Sequence, residues 1–378
     1  MPFSDFAGNP ETIHRLREML ARKRFPHAVI LSGAHGSGKY TLALMLARAM
    51  NCLEQPLTDG TGGADDLPDF CGRCSNCTRI AQSEDLDSRF AEAVEARENL
   101  RDTDKKETRL FVQTHPDVLI VPPDPPQMMI KVDQVRHVIE TIYYRPAEAR
   151  ERVYIFTSSA FMKEAANSLL KVLEEPPEFA SIFLLTENAG ELLPTIRSRS
   201  MIFNLGALPA TEIESRLAQL RPDWNTRHRA LVARLSEGAI GRALSFDLES
   251  YIAARNHALI MLKSALGGKG NEADNAHTEL FKTTETYRSG AEGREKIENL
   301  LRTLYSLLED LMFLQSGAGQ LVRNTDILGE LKKMSESADF AWVQRAADGL
   351  GEVERGLRRN LLRSLSLDAF ATALERVS

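Results

Sequence analysis

Apolar positions follow two rhythms along the chain. Between residues 27 and 205, short continuous apolar runs alternate with stretches of helical spacing. Beyond Leu208-Pro209 only the helical spacing persists. The runs Ala28 to Leu31, Val118 to Val121, Arg152 to Phe156 and Ile182 to Thr186 predict buried strands of a mainly parallel sheet. Residues 9 to 24 predict a helix, with Asn9 as N-cap, Pro10 at its first position and Ile13, Leu16 and Leu20 on one face. Further helices are predicted after Gly38 (Leu42, Leu44, Met45, Leu46, Met50), from Ile130 (Val135, Val138, Ile139, Ile142) and over Lys163 to Glu175, where Pro176-Pro177 stops it. This alternation specifies an α/β fold, a parallel sheet flanked by helices. Residues 210 to 247 predict short helices ending at Gly238-Ala-Ile-Gly241-Arg242. After residue 250 two broad apolar stripes follow, Ile297 through Leu311 and Leu357 to Val377. Faces that wide suit either a helical domain that oligomerises or one that packs on itself.

A chain of 378 residues is long enough for two or three domains, and 43% hydrophobic with 26% charged residues is ordinary globular composition. The net charge of −6 argues against a protein that coats nucleic acid by itself. The absence of a spanning apolar run and of a signal-peptide layout leads to an expectation of a cytoplasmic protein. Residues 83 to 109 are dense in charge with few apolar anchors, which predicts an exposed helix or a mobile insertion. His115, beside Pro116, reads as a turn or cap residue rather than a ligand.

Between the first strand and its helix lies Gly33-Ala-His-Gly36-Ser-Gly38-Lys39, which fits the first seven positions of the phosphate-binding loop GxxxxGK[ST]. Gly33, Gly36 and Gly38 allow backbone N–H groups to line up on an anion, and the helix N-terminus and Lys39 add positive charge. The eighth position departs from the pattern. Tyr40 stands where a Ser or Thr would bind Mg²⁺, and Thr41 is turned about a hundred degrees around the helix. The strand Arg152 to Phe156 continues as Thr157-Ser158-Ser159, with no acid to position metal or water until Glu164, inside the next helix. The chain's four cysteines form another group, Cys52 and Cys71-Gly-Arg-Cys74-Ser-Asn-Cys77. In a cytosolic protein this spacing predicts a closed structural Zn²⁺ site rather than disulfides, the alternative being buried free thiols.

Taken together, the phosphate loop, the Cys…CxxCxxC, His115-Pro-Asp117, Asn167-Ser-Leu-Leu-Lys-Val-Leu-Glu-Glu-Pro-Pro177 and Ser198-Arg199-Ser200 resemble the bacterial clamp-loader AAA+ subunits of DNA polymerase III. The resemblance reaches Gly356-Leu-Arg-Arg-Asn360, similar to the family's last collar helix. It implies an AAA+ core over 1–207 with a zinc knuckle (52–77) and the charged insertion (83–109), a helical lid over 208–248 and a helical collar over 249–378. Motor subunits of the gamma and tau kind carry an intact GKT or GKS and an Asp-Glu after the third core strand. This chain has neither, and is similar instead to the non-hydrolysing delta-prime stator class. The lack of a tau-like tail after the collar points the same way. The resemblance further implies that Arg199 acts in trans as an arginine finger on a neighbour's ATP, with Arg197 second choice. It places Thr186 or Asn188 at the first sensor and Arg242 at the second. Implied partners are gamma/tau ATPase subunits, a delta subunit, the sliding clamp and primer–template DNA. ATP or ADP is expected to bind weakly or not at all at Gly33, Gly36, Gly38, Lys39, Thr41 and Arg242. An active gamma/tau-like ATPase with unusual Mg²⁺ ligation is the competing reading. A small-molecule P-loop kinase leaves the cysteines, the LLKVLEEPP segment and the helical C-terminal third unexplained.

Overall fold

The structure, a computed structural model, describes residues 2–60, 63–266 and 291–358, with Leu367, Ala369, Phe370 and Ala373. The chain gathers into two units, Met1–Arg216 with Glu237–Leu244, and Leu217–Ser236 with Ser245–Ser378. Residues 208–248 thus contribute to both.

In the first unit α1 (Pro10–Ala21) precedes β1 (Ala28–Ser32) and α2 (Lys39–Asn51). A hairpin, β2 (Leu57–Gly60) and β3 (Gly63–Pro68), leads to α3 (Ser75–Ala81), α4 (Leu86–Glu98) and α5 (Asp102–Glu107). Then come β4 (Val112–His115), β5 (Val118–Val121), α6 (Val132–Ile142), β6 (Arg152–Phe156), α7 (Lys163–Glu174), β7 (Ala180–Thr186), α8 (Pro194–Arg197) and β8 (Met201–Asn204). The main sheet has the order β4-β5-β6-β7-β1-β8. Every neighbouring pair is parallel except β4 with β5. Strand β4 was not predicted by the apolar pattern, because its four residues include Gln113 and Thr114 and it lies at the sheet's edge.

Side chains alternate across the pleat, as a two-residue period requires. Val29 and Leu31 join α1 and α2 in one core, while Ala28 and Ile30 join α6 and α7 in the other. The sheet is therefore covered on both faces, which accounts for its strands reading as continuous apolar runs. Helix α2 is buried from Leu42 through Asn51. In the register Ser32 pairs with Thr186, and Phe156 with Leu184, so the turns after β1, β6 and β7 emerge at one edge. The carboxyl edge beside the first strand is where open parallel sheets place their ligands.

Asn9 does not cap α1 with its side chain. Its backbone is left-handed, and its Oδ1 accepts the Gly206 N–H at 2.8 Å, tying the start of α1 to the chain leaving β8. Helix α4 buries no residue, as the charge density of 83–109 predicts. Arg97 of α4 anchors the segment by donating to buried Asp124 at 2.7 Å.

After α9 (Ala210–Leu220) and α10 (Thr226–Leu235), α11 (Ile240–Leu244) returns to the first unit. The second unit continues with α12 (Leu248–Leu266), α13 (Ala291–Gln315), α14 (Leu328–Ser337) and α15 (Phe340–Arg358). Ile297, Leu300, Leu301, Leu304, Leu307, Leu308 and Leu311 are all buried among these helices, so self-contained packing accounts for this stripe. The stripe from Leu357 to Val377 and the end of the Gly356–Asn360 segment lie largely outside the described residues. Buried Asp310 accepts the N–H groups of Arg323 (2.7 Å) and Asn324 (3.0 Å), satisfying a carboxylate that would otherwise oppose folding. Among the described residues no helix is long and apolar enough to cross a membrane.

Candidate functional site

The phosphate loop follows β1 and runs into α2, as predicted, but its lysine is turned on the loop itself, and the buried Ser37 hydroxyl has no partner among the described residues. Lys39 Nζ donates to the carbonyls of Gly33 (2.5 Å) and Ala34 (2.7 Å). Burial holds its pKa below the usual lysine value, an effect opposed by the charge of Glu187 just past β7. The carbonyl of Gly36 accepts the N–H of Gly241 at 2.9 Å. Gly36 has φ +77°, and a Cβ there would fall 2.5 Å from the backbone nitrogen of Arg242. One on Gly241 would fall 2.8 Å from the Gly36 oxygen. These two glycines let the start of α11 lie backbone to backbone on the loop. The Phe6 ring covers Gly38, and Arg242 pairs with Glu237 at 2.5 Å.

Tyr40 points away from the loop. Its hydroxyl donates to the Ser83 carbonyl at 2.6 Å, and burial raises its pKa far above the usual phenol value. About two helical turns further on, buried Arg48 donates to Glu84 at 2.5 Å. The residue in the metal-ligand position thus fastens α2 to the segment after α3. Thr41 is exposed, on the wall of a cavity of about 210 Å³ that it shares with Tyr40, Arg48 and Glu84.

At the ends of β6 and β7 the structure adds a residue that sequence reading missed. Glu191 accepts from Ser159 Oγ (2.5 Å) and Thr186 Oγ1 (3.0 Å). It arrives from the connection after β7, and nothing in the register of β6 signals it. The Asn188 carbonyl lies 2.9 Å from the same Thr186 Oγ1 and shares its single proton with Glu191, and Asn188 Oδ1 accepts the Gly190 N–H at 2.8 Å. Both sensor candidates are therefore engaged within one short turn.

Arg199 lies past α8 with its side chain about a third exposed (35%). Its Nη2 pairs with Glu174, the last residue of α7, at 2.7 Å, and its Nη1 donates to the Thr195 carbonyl at 3.0 Å. Arg197 is half-buried, and its Nε has no partner.

The four cysteines converge: their sulfurs all lie within 4.8 Å of one another. Cys52 Sγ accepts the N–H groups of Gln55 and Cys71, each at 3.2 Å, and Cys71 Sγ accepts that of Cys74 at 3.3 Å. Burial pushes the Cys74 thiol up, yet backbone N–H groups of Cys77 and Leu53 and neighbouring thiols bring it down to about 7. Tetrahedral Zn–S bonds of ~2.3 Å place sulfurs ~3.8 Å apart, so this donor set fits a closed Cys₄ metal site. His115 was expected in a turn or as a cap; it is the last residue of β4, and its side chain caps the turn that follows. It is fully buried, and its Nδ1 accepts the Asp117 N–H at 3.1 Å. Asp117 in turn accepts the N–H groups of Ala147, Glu148 and Ala149 at 2.8 to 2.9 Å, which holds its carboxyl below the usual range against the cost of burial.

Sequence comparison finds relatives among bacterial DNA polymerase III subunits. The chain is 28% identical over 271 residues to "DNA polymerase III subunit tau" of Escherichia coli, covering 70% of this chain and 36% of that protein. It is 30% identical over 211 residues to "DNA polymerase III subunit delta'" of Bacillus subtilis, covering 56% of this chain and 51% of the relative. The chain thus spans only about a third to a half of the length of these relatives. A solved Thermotoga maritima protein described as gamma subunit-related overlaps 98% of this chain and 99% of its own, at 18% identity and a TM-score of 0.39, too loose for anything to rest on it. The family model described as "DNA polymerase III, delta subunit" matches residues 8–209, more than half of the 378 residues, and the chain belongs to that clamp-loader family.

Proposed function

We propose that the chain is a non-hydrolysing stator subunit of the delta-prime type. It would sit in a ring with gamma/tau ATPase subunits and a delta subunit, help load the sliding clamp on primed DNA, and supply Arg199 in trans to a neighbour's ATP. The single observation that carries this reading is Tyr40. A phosphoryl-transfer site of this class needs a hydroxyl on Mg²⁺ at that position. Here the phenol oxygen is spent on the Ser83 carbonyl instead. The engagement of Lys39 by the loop's own carbonyls supports the same conclusion. An arginine finger acts on another subunit's nucleotide and needs no working site at home.

In this reading Cys52, Cys71, Cys74 and Cys77 hold a structural Zn²⁺, which, when bound, fastens the segment after α2 and leaves no position open for substrate. Residues 1–207, 208–248 and 249–378 serve as core, lid and collar. The second reading, a gamma/tau-like ATPase with unusual Mg²⁺ ligation, is favoured by one feature: Glu191 supplies a carboxylate at the ends of β6 and β7. The test is steady-state ATP turnover by the purified chain. The stator reading expects none above background from the chain alone with Mg²⁺ present, and turnover only once its ring partners are added. Turnover abolished by Lys39→Ala would move the chain to the motor class.

A further inference from the structure

Glu174 belongs to the LLKVLEEPP segment, and neither the fold nor the nucleotide chemistry above uses it. Its position is electrostatically unfavourable. It ends α7, where the helix dipole is negative, and Glu175 follows directly. A carboxylate there does not serve the helix. What it meets is Arg199, with Oε1 2.7 Å from Nη2. The guanidinium is held on a second side by the Thr195 carbonyl at 3.0 Å.

We propose that Glu174 is a counter-charge that holsters Arg199, keeping its guanidinium occupied until a neighbouring subunit's phosphate competes for it. The inference rests on the reading of Arg199 as a trans-acting finger. Both side chains are partly exposed, 35% for Arg199 and 52% for Glu174, so water screens the pair. It is strong enough to bias the side chain and weak enough to exchange. A phosphate offers the same guanidinium a doubly charged, bidentate acceptor, for which the planar fork is better suited than for one carboxylate oxygen. Glu174 is therefore a positioning residue: it touches no nucleotide and acts through Arg199. Its removal should free the finger, and the sign of the effect separates this role from damage, which lowers activity.

The experiment uses the complete reconstituted loader with ATP, measured without stimulation and then with clamp and primed DNA. Glu174→Gln keeps the shape and removes the charge. It is expected to raise the unstimulated rate about two- to fivefold, the range an exposed ion pair permits, and so to narrow the gain from clamp and DNA. Glu174→Asp, which keeps the charge, should stay near wild type. The double variant Glu174→Gln/Arg199→Ala should fall to the level of Arg199→Ala alone. If Arg199→Ala impairs stimulated hydrolysis while Glu174→Gln leaves the unstimulated rate unchanged or lowers it, the holster is refuted and the finger stands. If Arg199→Ala has no effect in the same assay, the finger reading itself has failed and the holster with it.

Discussion

Lys39 and Arg199 are both cations that sequence motifs associate with ATP, and the structure treats them in opposite ways. Lys39 is folded onto the carbonyls of its own loop, in which Gly36 takes a backbone contact from Gly241 and Gly38 lies against the ring of Phe6. Arg199 sits at the surface and is held by one exposed ion pair, the Thr195 carbonyl and a long contact to Ser198 Oγ at 3.4 Å. Undoing the first arrangement means releasing a partly buried lysine from two carbonyls of its own loop. Undoing the second means exchanging one acceptor for another. In the stator reading proposed above, a lysine turned on its own loop and an arginine at the surface belong to a chain that contributes to hydrolysis without performing it.

Metal removal should break the comparison on one side only, and has the largest expected effect. Four-thiolate sites contribute folding free energy on the order of 10 kcal/mol in small zinc modules. The segment that follows the knuckle and α3 is joined to α2 through Tyr40–Ser83 and Arg48–Glu84. Chelation, or Cys74→Ser, should therefore speed amide exchange in residues 39–51 and 71–83 while residues 194–204 keep their rates. Uniform loss of protection would mean that the two regions are not separable. Freshly purified protein with no zinc would remove the site altogether.

A smaller effect is expected from Gly36→Ala. A left-handed non-glycine residue costs about 1–3 kcal/mol, and the new Cβ would press on the Arg242 nitrogen 2.5 Å away. Denaturant melts should show that loss with ATP present or absent. If ATP stabilises wild type and not the variant, the loop is a nucleotide site after all. Tyr40→Phe should cost least, about 1 kcal/mol for an unpaired buried carbonyl. Tyr40→Thr should lose the same tether and gain no ATPase, because β6 still ends without an acid. Measurable turnover in that variant would show that one residue alone separates this chain from a motor.

Much of this was legible in the sequence because it is local. The apolar runs of β1, β5, β6 and β7, the helix stopped by Pro176-Pro177, and the CxxCxxC spacing each carry their signal within a few residues. What escaped is long-range or short-lived in sequence. Tyr40 was readable as a missing ligand, but its partner Ser83 lies on another element, 43 residues away. Gly36 reads as a phosphate glycine until Gly241, far along the chain, is seen to dock on it. Asn9 was read as a cap because its neighbour Pro10 starts a helix, yet tertiary contact with Gly206 claimed its side chain. Glu191 reaches Ser159 from a different strand's connection, which no periodicity records. Edge strand β4, short and half polar, offers too few apolar positions to be told from loop.

The central claim is tested most directly by two variants in otherwise identical reconstituted loaders, with clamp- and DNA-stimulated ATP hydrolysis as the readout. Arginine fingers are worth about 10³–10⁵ in rate at the site they serve, though in a ring with several ATP sites the bulk loss is smaller. Arg199→Ala should clearly lower stimulated hydrolysis. Arg199→Lys should resemble it, since an ammonium lacks the planar fork. Lys39→Ala should leave the rate unchanged. A loss with Lys39→Ala and none with Arg199→Ala would contradict the account, and a loss confined to Arg197→Ala would reassign the finger.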